Sequence, residues 1–256
     1  MAISWLTMVY ACARPNRLLY KTKVTKQIKG IKEQIENDGF AIVENVFDQH
    51  QVETLSKSLT DSGHGKRNLF EQVPETQSLV TDPAIVSLVS SILGDTAFAV
   101  RAILFDKLQG ANWHVGWHQD QAIATQERTD APGFGPTSIK DGVPHTRANA
   151  SVLEQMLAVR IHLDDCGPDN GPLRCVPTSH KLGRLDPDQC LAHKSQLREQ
   201  ACTVGRGGVI LMRPLCLHAS SPAQSPSHRR VIHIEFANCE LPTPLQWYER
   251  KSIRCV

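Results

Sequence analysis

A chain of 256 residues, 41% hydrophobic and 21% charged, is long enough to bury a sizeable core as one globular domain. The formal net charge of +2 provides no concentrated basic face, so nucleic acid is not an expected partner. The eight cysteines form no C-x-x-C pair, and the longest apolar runs fall short of the roughly 18 residues that a membrane-spanning helix needs.

Several cysteines lie inside apolar runs, as in Leu215-Cys216-Leu217, which points to free buried thiols in a reducing, cytoplasmic setting. Met1 to Cys12 is mildly apolar, lacks a basic n-region and has no clear cleavage site, so it is not read as a signal peptide. Residues 1–28 are expected to be an N-terminal extension and residues 29–256 a single domain. The basic run Lys21 to Lys32 reads as a solvated helix face.

Asp48, with Gln51 three residues on, predicts a capped helix carrying Val52, Leu55 and Leu59 at helical spacing. Asp82-Pro83 predicts a second start, followed by the stripe Ile85, Leu88, Val89 and Ile92 and a stop at Gly94. Beyond Gly94 the pattern changes to short strands: Phe98–Phe105, Met156–Leu163, Leu173–Val176, Val209–Met212 and Val231–Ala237. Gly and Pro punctuate between them. Many short strands with such turns predict a sandwich or barrel. Residues 121–150, rich in Gly and Pro and poor in apolar residues, read as a long loop and a candidate lid.

The segment Trp113-His114-Val115-Gly116-Trp117-His118-Gln119-Asp120 carries the strongest chemical signal. On extended backbone, residues i and i+2 share a side, so His118 and Asp120 can present an imidazole and a carboxylate to one ion. A second histidine completes the two-His, one-carboxylate set of non-haem iron(II) oxygenases, and His218 is the candidate. His114 lacks a carboxylate two residues on. Arg229 follows His218 by eleven residues across a Pro- and Ser-rich turn, where its planar fork can hold the far carboxylate of 2-oxoglutarate. Ser220 shares the side of His218 and can donate its hydroxyl to the same carboxylate. Arg230 competes with Arg229, but it shares a strand face with Ile232, Ile234 and Phe236, whereas Arg229 shares one with His233 and Glu235.

Other polar residues read less sharply. Lys107 and Arg67 could each help bind a carboxylate in the pocket, but the surface is the first expectation for both. Arg160, His162 and Asp164 share a strand face and either line a pocket or pair with one another. His145, His180 and His233 have no evident partners, and His180 is expected to support a turn. Trp113 and Trp117 are expected in packing roles, Trp117 behind the metal motif. The same three ligands also allow a zinc hydrolase, in which Arg229 has no task.

At these residues the chain resembles the phytanoyl-CoA dioxygenase family. The resemblance rests on Trp117-His118-Gln119-Asp120, on Asp169-Asn170-Gly171-Pro172-Leu173-Arg174-Cys175-Val176-Pro177 with Ser179-His180, on His218-Ala219-Ser220 leading to Arg229-Arg230, and on the opening Asp38-Gly39-Phe40-Ala41-Ile42-Val43. It covers roughly residues 30–240. It implies a mainly β fold with flanking helices around a double-stranded β-helix (jelly-roll, cupin-like) core. It also implies an Fe(II)-dependent dioxygenase, with 2-oxoglutarate and O2 as cosubstrates, succinate and CO2 as products, and hydroxylation of a small organic molecule. His118, Asp120 and His218 match the iron-ligand positions. Arg229 and Ser220 match the cosubstrate positions, and Gln119, inside the metal motif, is expected to contact the cosubstrate. In related halogenases a small residue replaces the carboxylate, so Asp120 favours hydroxylation. One departure is that no tryptophan occurs between Gln121 and Ala150, where family members often carry one near the cosubstrate; Thr137 or a neighbour is expected in its place. The alternative is a non-catalytic jelly-roll protein that binds a metal or 2-oxo acid. Substrate and oligomeric state are not legible.

Overall fold

The structure, a computed structural model, describes residues 17–59, 65–108, 110–224 and 228–254. Expectations for Met1–Cys12 and for Cys255 fall outside these residues. The first helix, α1 (Arg17–Asp38), runs across residue 28, where the end of an extension was expected. Its Ile31 and Ile35 are buried, while Lys29 and Lys32 lie exposed on the solvent side and pair with Glu33 and Glu36 at 3.7 and 3.9 Å. Helix α2 (Gln49–Ser58) starts with the capping box formed by Asp48 and Gln51, both bonds being 2.9 Å. After the short α3 (Leu69–Gln72), helix α4 (Pro83–Leu93) is capped by Asp82 and ends at Gly94, whose φ of 85° suits glycine. Among the described residues no single helix is long and apolar enough to cross a membrane. The bent pair Pro74–Thr81 and Pro83–Leu93 passes that test jointly, but its Leu79, Val80, Ile85, Leu88 and Val89 are buried in the core.

The strands are β1 (Phe40–Val43), β2 (Gly65–Lys66), β3 (Phe98–Asp106), β4 (Val115–His118), β5 (Ala122–Ala124), β6 (Thr137–Lys140), β7 (Val143–Arg147), β8 (Met156–His162), β9 (Leu173–Cys175), β10 (Gln200–Cys202), β11 (Val209–Met212), β12 (His218–Ser220), β13 (Arg230–Ala237) and β14 (Lys251–Ser252). Among the described residues the major sheet has the order β1-β11-β8-β13-β3-β14, with β2 on β3, and the minor sheet has the order β10-β9-β12-β4. All their pairings are antiparallel. From β3 onward the chain winds between the two sheets, giving the double-stranded β-helix that the sequence led us to expect.

Alternation along the major-sheet strands decides where the core sits. Leu104, Val159, Ile161, Leu211, Ile232, Ile234 and Phe236 project onto the helices and join Ile35, Leu69, Phe70, Ile85 and Leu88 in one apolar cluster. The opposite faces of the same strands look toward the minor sheet, and there the buried residues include Arg101, Arg160, His162, His233 and Glu235.

Residues 121–150 are not a loop. They form a small antiparallel sheet of order β5-β7-β6, which is a correction to the sequence reading. The β6–β7 connection is Asp141-Gly142 with φ of 49° and 80°, the two left-handed residues that a two-residue hairpin requires. Ile123, Ala124 and Val143 are buried, while Ile139 is 62% exposed near the hairpin tip.

Candidate metal centre

Strand register brings the two histidines together. In the β12–β4 pair His218 lies directly opposite His118, and the ring centroids are 4.2 Å apart. Asp120, just beyond the end of β4, is anchored by its backbone N–H donating to Pro214 O at 2.9 Å. Its carboxylate oxygens lie 3.5 Å from His118 Nε2 and 3.6 Å from His218 Nε2. One ligand atom from each residue falls within 4.8 Å of the others, the spacing that a single ion needs.

Backbone carbonyls fix the imidazole tautomers. His118 Nδ1 faces Gly116 O at 2.8 Å, and His218 Nδ1 faces Cys216 O at 2.9 Å. A carbonyl only accepts, so each Nδ1 must carry the hydrogen, which in the neutral ring aims the Nε2 lone pair at the shared point. Burial, with the nearby His118, pushes His218 down to about 3, so it is neutral and ready to ligate. Burial also acts to lower His118, but its hydrogen bond to Asp120 and that carboxylate's charge win and raise it. Asp120 is buried enough to favour the acid form, yet the two triad imidazoles, followed by His233, hold it well below the usual carboxylate range.

The three residues open onto a cavity of about 160 Å³ between the sheets. Its far end is cationic. Arg229 is 4% exposed, donates to Gly171 O through an Nη atom, and leaves its buried Nε without a partner. Arg230 faces the other way and is held by Asp164 at 2.6 Å. Ser220 lines the cavity beside Arg229, and its Oγ accepts from Lys107 Nζ at 3.1 Å. Lys107 was read as a surface residue; it is instead fully buried, also donating to Ser221 O at 2.6 Å. Its aliphatic stem continues the inner face of β3, which forces the ammonium inward. Burial and the neighbouring Arg229 lower it to about 8. Arg67 does lie at the surface, paired with Asp141 at 3.2 Å.

One wall of the cavity holds a network that the sequence reading missed. Glu235 accepts from Arg101 through Nε at 3.0 Å and through an Nη atom, and faces His233 Nε2 at 3.2 Å. His233 Nδ1 in turn faces Arg160 Nη1 at 3.0 Å. Burial acts to raise Glu235, but Arg101 and His233 keep it ionised. The open alternative for Arg160, His162 and Asp164 is thereby divided: Arg160 lines the cavity, Asp164 pairs with Arg230, and His162 is buried with neither ring nitrogen partnered.

Gln119 needs correcting as a cosubstrate contact. Alternation turns it away from His118 and Asp120, and its amide is used up behind the site. It donates to Gly183 O and Leu215 O at 2.8 Å each, and accepts from Leu185 N–H at 2.8 Å and Gln121 Nε2 at 2.9 Å. Trp113, expected in packing, lines the cavity instead. Trp117 does sit behind the motif, against Val176 and Leu217, under Arg174 and Lys194. Thr137 accepts from Arg128 Nε at 3.0 Å and does not reach the cavity. His180 faces Glu36 O at 3.3 Å, supporting the turn after α1.

Residues 56–231 match the family model described as phytanoyl-CoA dioxygenase (PhyH). The chain is 26% identical over 168 residues to an ectoine dioxygenase of Bordetella bronchiseptica, covering 57% of this chain and 47% of that protein. It is 24% identical over 166 residues to the ectoine dioxygenase of Sphingopyxis alaskensis, with the same coverage. The chain therefore spans about half the length of the curated relatives it matches. Among solved structures it resembles EctD from S. alaskensis in its apoform, with a TM-score of 0.66 and 18% identity over 90% of this chain and 84% of that one. It also resembles the epimerase SnoN in complex with Fe3+, alpha ketoglutarate and nogalamycin RO, with a TM-score of 0.65 and 14% identity over 91% and 96% of the two chains. At these identities the structural likeness is one of fold.

Proposed function

The chain belongs to the phytanoyl-CoA dioxygenase family, and from that premise we propose that it is an iron(II)- and 2-oxoglutarate-dependent oxygenase that hydroxylates a small organic molecule. The observation that carries the reading is a single cavity with two unlike ends. At one end stand the Nε2 atoms of His118 and His218 and an ionised carboxylate, the donor set that suits iron(II). At the other end stands Arg229, a buried cation with an orphaned N–H and no carboxylate of the protein within ion-pair distance among the described residues, and the buried Lys107 donates to the lining Ser220 Oγ. Buried charge without a partner is costly, so this end calls for an anion from outside. A dianionic 2-oxo acid, chelating at one end and ionic at the other, suits both. A hydrolase built on the same three ligands leaves the cations without a ligand.

His118, Asp120 and His218 would hold the iron, and Arg229, Ser220 and Lys107 the far carboxylate. The bound metal, 2-oxoglutarate and dioxygen supply the oxidising chemistry, with succinate and carbon dioxide as by-products. The chain's own part is positioning. The carbonyls of Gly116 and Cys216 fix the two imidazoles, Pro214 O fixes the Asp120 backbone, and Trp113 and Phe105 line the cavity as apolar walls. On the β6–β7 hairpin, burial and then the charges of Arg101, which lines the cavity, and of Arg67 lower Lys140. We propose this hairpin as the element that closes over the substrate. The buried free thiols Cys166, Cys175, Cys190, Cys202 and Cys216 suit a reducing compartment, and we propose the cytoplasm.

The test is anaerobic addition of iron(II) and 2-oxoglutarate. A charge-transfer absorption should appear, followed on admission of oxygen by succinate. A protein that binds iron(II) and shows neither would refute the reading.

A further inference from the structure

The inner face of the major sheet can be read in rows from its register. Arg101 lies opposite Glu235, Ile103 and Arg160 flank His233, and Phe105 and His162 flank Val231. Beyond the last row the ladder continues through Arg229 N–H to Lys107 O at 3.2 Å. Arg160 and Arg229 thus belong to rows four residues apart on the β13 side, roughly 13 Å at strand rise. The Arg229 row faces Ser220, since Lys107 bridges to it. The Arg160 row lies on the other side of His162, toward the metal ligands, and Arg160 shares the cavity lining with His118, Asp120 and His218.

Arg160 is 8% exposed. It bonds to the ring atom His233 Nδ1, its buried Nε has no partner, and no carboxylate lies within ion-pair distance among the described residues. The wall's acid, Glu235, is already taken by Arg101 and His233. Behind Arg160, His162 also keeps both ring nitrogens unpartnered. A guanidinium offers five donors in a planar fork, so most of this one's hydrogen-bonding capacity is unspent beside the metal ligands.

We propose that Arg160 is a second cosubstrate-binding residue, taking the carboxylate next to the 2-oxo group while Arg229 and Lys107 take the far one. The inference rests on the proposed 2-oxoglutarate reading. It assigns each carboxylate of the diacid its own guanidinium, one in the metal row and one in the Ser220 row. A substrate carboxylate placed beside the metal has the same chemistry, and the choice of probes separates the two sources.

The experiment titrates manganese-loaded protein with 2-oxoglutarate and with pyruvate, which keeps the 2-oxo carboxylate and lacks the far one, by calorimetry without oxygen turnover. Arg160→Gln should weaken both ligands by a similar factor, on the order of tenfold to a hundredfold, with manganese affinity retained. Arg229→Gln should weaken 2-oxoglutarate by a comparable factor and leave pyruvate unchanged. Arg160→Lys, which keeps the charge and loses the fork, should fall between wild type and Arg160→Gln for both ligands, and it provides the readout if the Gln variant does not fold. Unchanged pyruvate and 2-oxoglutarate binding in these Arg160 variants overturns the inference and gives Arg160 to the substrate. Wild-type protein that binds no 2-oxoglutarate at all removes the proposed function and this inference together.

Discussion

On strand β13, Ile232, Ile234 and Phe236 point outward into the helices, whereas His233 and Glu235, with Arg229 just before the strand, point inward to the cavity. Both sets are buried to within a few per cent, so exposure does not distinguish them. Chemistry does. The outer set needs only apolar volume, which many side chains supply. The inner set needs particular donors and charges at particular rows, and it carries the desolvation of Arg101, Arg160, Arg229 and Lys107. One face stabilises the fold so that the other can hold groups that burial disfavours.

Substitutions should separate the two faces. The largest effect is expected from Asp120→Ala, which removes the proposed carboxylate ligand: metal binding and turnover should be lost with little change in melting temperature. A collapse in stability instead would mean that the inner face also holds the fold together. Phe236→Ala should destabilise by about 3–5 kcal/mol while the remaining folded protein binds metal normally; denaturant unfolding with parallel metal titration reads both. Arg229→Ala should raise the 2-oxoglutarate requirement by on the order of tenfold to a hundredfold, as expected for losing a charge-assisted contact, with iron binding kept. If Arg230→Ala did this instead, the assignment of the two faces would be reversed.

The smallest effect concerns pH. Lys107 is lowered from 10.5 to about 8, so it carries its charge below about 8 and loses it above. Affinity for 2-oxoglutarate should therefore fall a few-fold as pH rises through this value, and Lys107→Met should flatten that dependence. The stability of the ligand-free protein should move in the opposite sense. Because the folded pKa lies below the unfolded one, the neutral form is favoured on folding, and stability should rise between about pH 8 and pH 10.5.

Local signals in the sequence were legible where one element decides the outcome. The Asp48–Gln51 box, the Asp82-Pro83 start and the bounds of β11 follow from capping and apolar runs. The distinction between Arg229 and Arg230 follows from alternation on one strand. Pairings set by register between distant strands were hidden: Arg101 and Glu235 lie 134 residues apart, and nothing near His233 in sequence announces Arg160. Lys107 looked like a surface residue because only its position past the end of β3, opposite Ser220, buries it. Gln119 misled by adjacency, since a neighbour along a strand is the residue that points the other way. The small sheet in 121–150 escaped because its strands are only three to five residues long, too short to show a pattern, although Asp141-Gly142 was the usable hairpin signal.

The imidazoles of His118 and His218 are both pinned by carbonyls two residues earlier in their own segments. The aim of each ring is therefore inherited from its own stretch of chain, and a change that leaves Gly116 and Cys216 in place should leave both rings pointing the same way.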